Sequence, residues 1–598
     1  MSEQANDGCA TGFGTRLIGC VDDMVLPIGM HDFTEAARRC VLVDKTMFIA
    51  DVLDCDASVV MCCRPEGFGK SMNLSMLKAF LERPAVGRAD RSLFAGSRIW
   101  DADGGRYRGE YACYPVVSLD FSGAAGSGAA VAGVVRDALS SECVRLLPFL
   151  EAPDLPRDKV RHIERVARGA ANEDEVDSVL AVLIELLEMA CDEQVVLLVD
   201  GYDAAWLSRA GIRDTRDDGP TELLDRVLFD AIVAAGDSMR LACLMGERPG
   251  PAEAALALRG CSYCSATPLS TWCDRWFGFS DAEVEALLSH AGREEYLDDA
   301  REWLEGYRFG GAYCSSPARV IGFLDRGCTP PVRADLHGYA DCLSRVVGDW
   351  NLDRRSVLFD LLEAHGCVEV PLCLGAAGSD EVHAEDIWMA LYLSGFLTTD
   401  RIEEPESDAR LRALRLPNNE LRQALRLVFI EWFECAVEDV RDVDAFRDGL
   451  CRGDEGAVRR SLGYILGDAG IGATEEDSPL PYHLLLQGLC FGLPGYANPA
   501  SRRKRGADRW DIQVFPTGNV LDVADTIGML DERPLITINL MYDPGVDELG
   551  LELLAVQALL DIERDGIDEI RVPRPGVGRM RWGFGFDGRH VSAVCQRL

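Results

Sequence analysis

Arg64-Pro65-Glu66-Gly67-Phe68-Gly69-Lys70-Ser71 is the stretch of this chain whose residue types and spacing carry the most chemistry. An apolar run, Ser58–Cys63, precedes it, and a helical pattern, Met72–Leu81, follows it. Strand, glycine-containing turn, Lys-Ser and helix in that order make a phosphate-binding loop. A helix N-terminus presents backbone N–H groups and the positive end of its dipole to an anion. Lys70 is the candidate to reach the β and γ phosphates of ATP, and the Ser71 hydroxyl the candidate to hold Mg2+. Arg64 stands where the usual motif has its first glycine; it is grouped with Gly67, Phe68, Gly69, Lys70 and Ser71 as a nucleotide-binding candidate. The chain has only five lysines, which makes an accidental Gly-Lys-Ser at a helix start less easy to accept.

A second element must complete such a site. Val195-Val196-Leu197-Leu198-Val199-Asp200 reads as a buried parallel strand that ends in a carboxylate, the expected Mg2+ partner of Ser71. In hydrolysing proteins of this kind the next residue is commonly a glutamate that polarises the attacking water. Gly201 occupies that place and has no side chain to act as a base. Asp203, two residues further on, is the candidate stand-in. Val116–Asp120 is a similar strand with a terminal acid, read in preference as a neighbouring core strand. Leu241–Arg248 is a further core strand with a polar tip; Arg248 is a candidate γ-phosphate sensor, against the plainer reading of a surface ion pair.

These residues need a scaffold, and the pattern supplies one. From Leu26 to about Gly250 apolar strands alternate with helical stretches, as in an α/β sheet. The strand candidates are Cys40–Val43, Ser58–Cys63, Tyr114–Phe121, Gln194–Asp200 and Met239–Met245, with a helix at Val176–Ala190 and a polar turn at Arg213–Pro220. From Ser280 to about Val440 the pattern is mostly helical: Glu283–His290, Tyr296–Glu305 and Asp386–Gly395, then the strand-like Phe396–Thr399 and a loop tip at Glu403–Asp408. Gly467–Pro481 reads as a linker or surface loop. Beyond it come a helix at His483–Leu489, strands at Arg509–Phe515 and Leu535–Met541, a helix at Leu551–Arg564, and strands at Ile570–Val572 and Arg581–Phe586.

Composition bounds the function. The 598 residues are 48% hydrophobic and 8% aromatic, enough for several packed cores. A formal net charge of -38 sets a global field that repels nucleic acid and anionic membrane, although a local basic groove is compatible with it. The 22 cysteines are scattered through mostly apolar contexts; the single C-x-x-C, Cys261 to Cys264, has no second pair at zinc spacing, so free thiols in a reducing cytosol are expected. Met1–Cys20 lacks a basic start followed by an apolar core, and no run reaches the roughly 18 apolar residues that cross a bilayer. A cytoplasmic location is expected.

Taken together, these motifs resemble the bacterial AAA-ATPase-like proteins that carry a C-terminal PD-(D/E)XK nuclease-superfamily domain, over nearly the whole chain. Leu26-Pro27-Ile28-Gly29 with Phe33, and Val43-Asp44-Lys45-Thr46, are similar to the family's opening motifs. Its loop, R-P-R-R-F-G-K-[ST], explains Arg64 and shows Glu66 and Gly67 in place of two arginines. Tyr114-Pro115-Val116 with Asp120-Phe121 is similar to Y-P-V-x-x-x-D-F, and Asp200-Gly201-Tyr202-Asp203 to D-E-Y-D without its glutamate. Trp303–Gly310, Ser316-Pro317, Leu391–Thr398 and Leu416–Glu420 resemble further motifs in the family's order.

The resemblance implies a nuclease-type metal site near the C-terminus, with Asp511 of Arg509-Trp510-Asp511-Ile512 as the first carboxylate. The strand that should follow as I-x-I-E-L-K reads Ile536-Thr537-Ile538-Asn539-Leu540-Met541. An amide is a poor Mg2+ ligand, and methionine orients no water, so Asp511 is expected to be a vestigial ligand in an inactive domain. Asp508 and Asp543 are the acids to which a site would have to migrate. Arg502-Arg503-Lys504-Arg505 is the one dense basic run, either a solvated loop or the place where nucleic acid would bind.

The expected fold is therefore α/β: a flexible tail (1–24), an AAA-like P-loop NTPase domain with a parallel sheet (25–278), a mostly helical middle region (279–470), and a restriction-endonuclease-like α/β domain (471–598). The expected function is ATP and Mg2+ binding with weak or absent hydrolysis, coupled to a domain that binds rather than cuts. An ATPase-coupled nuclease with displaced acids, and a non-enzymatic scaffold stabilised by nucleotide, remain as alternatives.

Overall fold

The computed structural model describes residues 15–21, 25–124, 128–204, 223–329, 361, 366–371, 384–399, 411–425, 440–468, 479–496, 499–502, 511–516, 533–566 and 578–598. The chain divides into two compact units, one of Met1–Val332 with Glu369–Glu420 and one of Arg333–Val368 with Leu421–Leu598. Residues 279–332 and 369–420 of the helical middle thus group with the first unit.

In the first unit, β1 (Leu17–Gly19) and β2 (Val41–Val43) form an antiparallel pair. The central sheet contains β3 (Val59–Cys63), β4 (Val116–Asp120), β5 (Val195–Asp200), β6 (Met239–Gly246) and β7 (Tyr263–Ala266). Its order is β4-β5-β6-β3-β7, and every pairing is parallel. Parallel strands covered on both faces read as unbroken apolar runs. Their alternate residues divide between two cores: Val59, Met61, Leu197, Val199 and Leu244 face one, and Val60, Cys62, Leu198, Cys243 and Met245 the other. The helix Lys70–Leu81 contributes Leu74, Leu77 and Phe80 to the second core, and the helices Gly128–Leu146 and Glu173–Cys191 build the first. The P-loop and the acid-tipped β5 consequently meet at the C-terminal edge of the sheet, where ligands of open α/β sheets bind.

A short hairpin, a helix and a small three-stranded sheet complete this unit. The strands β8 (Tyr307–Phe309) and β9 (Ala312–Cys314) pair antiparallel, and the helix Pro317–Asp325 follows directly. Strands β10 (Val368–Pro371), β11 (Thr398–Thr399) and β12 (Leu411–Arg415) form a small sheet in the order β10-β12-β11.

The second unit has a sheet in chain order, β13 (Ala500–Arg502), β14 (Asp511–Val514), β15 (Leu535–Tyr542), β16 (Arg579–Phe586) and β17 (Val591–Arg597). Only β15 and β16 are parallel; the helix Glu548–Arg564 makes the crossover between them and packs on both.

Most expected elements are present with ends shifted by a few residues. Val176–Ala190 grows to Glu173–Cys191 because Asn172 and Glu175 form a reciprocal capping box, and Leu551–Arg564 grows to Glu548–Arg564 behind the N-cap Asp547. Phe396–Thr399 contracts to the two residues of β11. The helix Gly128–Leu146 and the strands β7 and β17 lie outside the sequence expectations. The expected elements at Arg213–Pro220, Glu403–Asp408 and Ile570–Val572 lie outside the described residues, as does most of the Gly467–Pro481 loop. Among the described residues no helix is long and apolar enough to cross a membrane.

Candidate functional site

The loop leaves β3 at Cys63, whose strand runs beside β6 with Cys63 opposite Gly246. The Arg64 N–H donates to the Gly246 carbonyl at 3.0 Å. Gly67 and Gly69 take left-handed backbone angles (φ 80° and 84°), a conformation that side chains with a Cβ rarely adopt. Gly69 is the N-cap of the helix Lys70–Leu81 and offers no capping side chain. Among the described residues no protein acceptor takes the backbone N–H groups of Gly69, Lys70 and Ser71. Those donors remain available at the positive end of the helix.

Side chains complete the anion cradle. Lys70 Nζ donates to the carbonyls of Arg64 and Pro65 at 2.7 and 3.0 Å and lies 3.5 Å from Oε1 of Glu247. Ser71 stands beside the Asp200 carboxylate. Burial pushes the Asp200 carboxyl above its ordinary value; Ser71 and Lys70 pull it down, and Asp120, its register neighbour on β4, pushes it further up. Asp120 itself is engaged locally, its Oδ1 accepting from the Ser122 N–H and hydroxyl at 2.9 and 2.6 Å. The donor set of free N–H groups, one ammonium and a Ser–Asp pair fits a polyphosphate with its Mg2+: Lys70 and the loop N–H groups would hold phosphate, and Ser71 with Asp200 would hold the ion.

Arg64 requires a correction. Grouped with the nucleotide-binding residues from sequence, it is fully buried with its guanidinium turned into the core. Its NH1 donates to the carbonyls of Cys63 and Ala266 at 2.8 and 2.5 Å, and NH2 to that of Cys273 at 3.4 Å. The Phe277 and Phe309 rings lie 5.1 and 4.9 Å from its central carbon. A planar cation held by carbonyls at its two terminal nitrogens and by aromatic faces, with Nε buried and without a hydrogen-bond partner, is a structural pin at the root of the loop.

Phe68 is also buried, edge-on to Tyr307 and Phe309 with ring centroids 4.9 Å away in each case. The Gly67 carbonyl accepts from the Ser316 hydroxyl at 3.0 Å and from the Ala318 N–H at 3.2 Å. A Cβ on Gly395 would fall 2.8 Å from Pro65. Trp303–Gly310, Ser316-Pro317 and Leu391–Thr398, three separate sequence motifs, therefore converge on the back of one loop and fix its shape.

The end of β5 also departs from expectation. Gly201 has φ 64°, and a Cβ there would lie 2.5 Å from both the N and the Cα of Ser122. No side chain of any kind fits at this position. Asp203, the expected stand-in base, is 1% exposed. Its Oδ2 accepts from the backbone N–H groups of Glu247 and Arg248 at 2.8 and 2.6 Å, while its Oδ1 has no partner among the described residues. The geometry makes Asp203 a brace for the tip of β6. Burial holds its carboxyl above the ordinary range against the pull of those N–H groups and of Lys70. Arg248 is half-buried, and its backbone is gripped on both sides: its N–H by Asp203 and its carbonyl by the Tyr202 hydroxyl at 2.6 Å.

Glu247, beside Lys70 at the tip of β6, lies outside the sequence expectations; its signal in the sequence is the polar tip Gly246-Glu247-Arg248. Burial pushes its carboxyl up, Lys70 draws it down, and Asp203 and Glu66 add to the rise.

In the second unit Asp511 is buried on β14, directly across the antiparallel pair from Asn539 on β15. Asn539 is tied into the helix–sheet interface, with Nδ2 donating to the Ala558 carbonyl at 3.1 Å and Oδ1 accepting from the Leu540 N–H at 3.0 Å. Asp543 accepts from the Gly545 N–H at 2.9 Å in a tight turn. Arg502 ends β13; Arg503, Lys504, Arg505 and Asp508 lie outside the described residues. Among the described residues no group of three or more His, Cys, Asp or Glu side chains is placed to hold a metal ion.

A five-stranded parallel sheet with a phosphate-type loop at its C-terminal edge defines a P-loop ATPase-like α/β unit. Residues 27–248 match the family model described as AAA-ATPase_like, "Predicted AAA-ATPase", which places an AAA-ATPase-like domain in that segment. Among solved structures the chain is similar to the Walker-type ATPase PABY2304 of Pyrococcus abyssi, at 14% identity and a TM-score of 0.32, over 64% of this chain and 94% of that one. A likeness that remote carries no weight for either unit. No curated protein matches the chain.

Proposed function

We propose that the chain binds Mg-ATP at the loop Gly67–Ser71 and turns it over weakly or not at all. The observation that carries this reading is the Lys70 ammonium and the Ser71–Asp200 pair set at a helix N-terminus whose backbone donors are untaken. Bound Mg2+ would neutralise phosphate charge. The chain's own groups do the rest: the loop amides and Lys70 orient the phosphates, Ser71 and Asp200 fix the ion, and the pinned loop keeps both in register. Mg-ATP at a hundred times its dissociation constant stabilises a protein by about 2.7 kcal/mol, a clear rise in melting temperature. The wild type should give that rise and Lys70→Ala should lose it. A shift that survives Lys70→Ala counts against the loop as the binding site.

Within the second unit we read residues 471–598 as a nuclease-like domain that has lost its chemistry; in the chain it follows the ATPase-like domain (25–278) and the helical region (279–470), part of which groups with the first unit. In support, Asp511 faces an amide where a metal site would need a second carboxylate, and that amide is committed to the helix Glu548–Arg564. With Mg2+ and ATP the purified chain should leave plasmid and linear DNA uncut. Mg2+-dependent cutting abolished by Asp511→Ala would contradict the reading. Binding of nucleic acid through Arg502–Arg505 and a cytoplasmic setting belong to the same proposal; the free state of the described cysteines suits a reducing compartment.

A further inference from the structure

We infer that Glu247 is the carboxylate that directs the attacking water when ATP bound at the loop is hydrolysed. The inference rests on the Mg-ATP reading above and decides between its two halves: turnover is weak, not absent.

Three observations converge on this residue. First, the usual position is closed, since Gly201 has no room for a Cβ against Ser122. Second, Glu247 lies on the adjacent strand's tip, beyond Gly246, which stands opposite the last residue of the P-loop strand; its neighbour Met245 stands opposite Asp200. It therefore sits between the two halves of the phosphate site. Third, its Oε1 is 3.5 Å from Lys70 Nζ. A phosphate oxygen that accepts from Lys70 will lie about 2.8 Å from the ammonium. A carboxylate on the same ammonium is then within about 6 Å of that oxygen, the span bridged by one water with a hydrogen bond on each side.

The support behind Glu247 is equally specific. Asp203 fastens the backbone N–H groups of both Glu247 and Arg248. A Cβ on Gly246 would lie 2.6 Å from Asp203 Oδ1, so the strand tip accommodates the brace only as glycine. Asp203 is a positioning residue and Glu247 the group that meets the water. The groups facing Glu247 are Lys70, Asp203 and Glu66, and burial keeps its carboxyl above the ordinary range, nearer the working pH of a general base. In the step itself the water oxygen forms a bond to the γ-phosphorus while the bond from that phosphorus to the bridging oxygen breaks. The bridging electron pair leaves with ADP, and the water proton passes to Glu247, giving ADP and inorganic phosphate.

The test uses the full chain, with Glu247→Gln, Glu247→Asp and Lys70→Ala compared for Mg-ATP affinity and for phosphate release. The wild type should bind and release phosphate above the Lys70→Ala background. Glu247→Gln should bind Mg-ATP as tightly or several-fold more tightly, because the uncharged amide no longer competes with phosphate for Lys70, while turnover falls about 100-fold. Glu247→Asp, should the amide variant fail to fold, should keep affinity and lose at least about tenfold in rate. Turnover in Glu247→Gln equal to the wild type overturns the assignment, as does an affinity that drops with it. Wild-type binding without any turnover overturns it while leaving Mg-ATP binding intact; absence of binding by the wild type overturns both.

Discussion

Arg64→Gly, which gives the loop its usual first residue, should destabilise the ATPase-like unit by about 3–5 kcal/mol. Pattern alone would forecast the opposite, a more regular phosphate loop. The guanidinium is fully buried and satisfies the carbonyls of Cys63, Ala266 and Cys273. Removing it leaves buried acceptors unpaired, each costing about 1–3 kcal/mol, and opens a cavity between Phe277 and Phe309. Arg64→Lys should recover little, since a point-like ammonium neither spans three carbonyls nor stacks between two rings. Calorimetry should place the first unit's transition roughly 5–10 °C lower in Arg64→Gly. An unchanged transition would mean that Arg64 is not the pin.

Gly201→Glu, which restores the acid that the family resemblance calls for, should cost more than about 4 kcal/mol and yield no gain in hydrolysis. The left-handed backbone at φ 64° alone disfavours any side chain by about 1–2 kcal/mol. The larger part comes from Ser122, whose N and Cα lie 2.5 Å from the new Cβ; both are backbone and cannot swing aside. Relief requires β5 or the turn after β4 to move, and Asp200 moves with it, away from Ser71. Melting followed by circular dichroism, with Mg-ATP binding measured on the same samples, checks both parts. A stable Gly201→Glu protein with faster turnover would show that the position is open.

These two substitutions mark where sequence stops being informative. The loop, the apolar strands and Asp200 were legible because each is written in consecutive residues: a strand run, a glycine turn, a Lys-Ser, a terminal acid. The direction of Arg64 was not, because it is set by Phe277 and Phe309, more than 200 positions away. Gly201 looked like a lost catalytic residue, and only its backbone angle and the approach of Ser122 show that a side chain is sterically excluded. Glu247 was invisible for a related reason, since its partner Lys70 is brought to it by the β3–β6 pairing. In the second unit β17 is hard to read from sequence because Val591–Arg597 breaks its alternation at the apolar run Ala593-Val594-Cys595 and ends in Gln596-Arg597. The nuclease-like reading there still rests on residue pattern and on the Asp511–Asn539 pairing, as the family match ends at residue 248.

Equilibrium titration of the full chain with Mg-ATP tests the central claim most directly. One site per chain is expected in the wild type and in Glu247→Gln, and no measurable site in Lys70→Ala. Equal binding by Lys70→Ala, or none by the wild type, would contradict it.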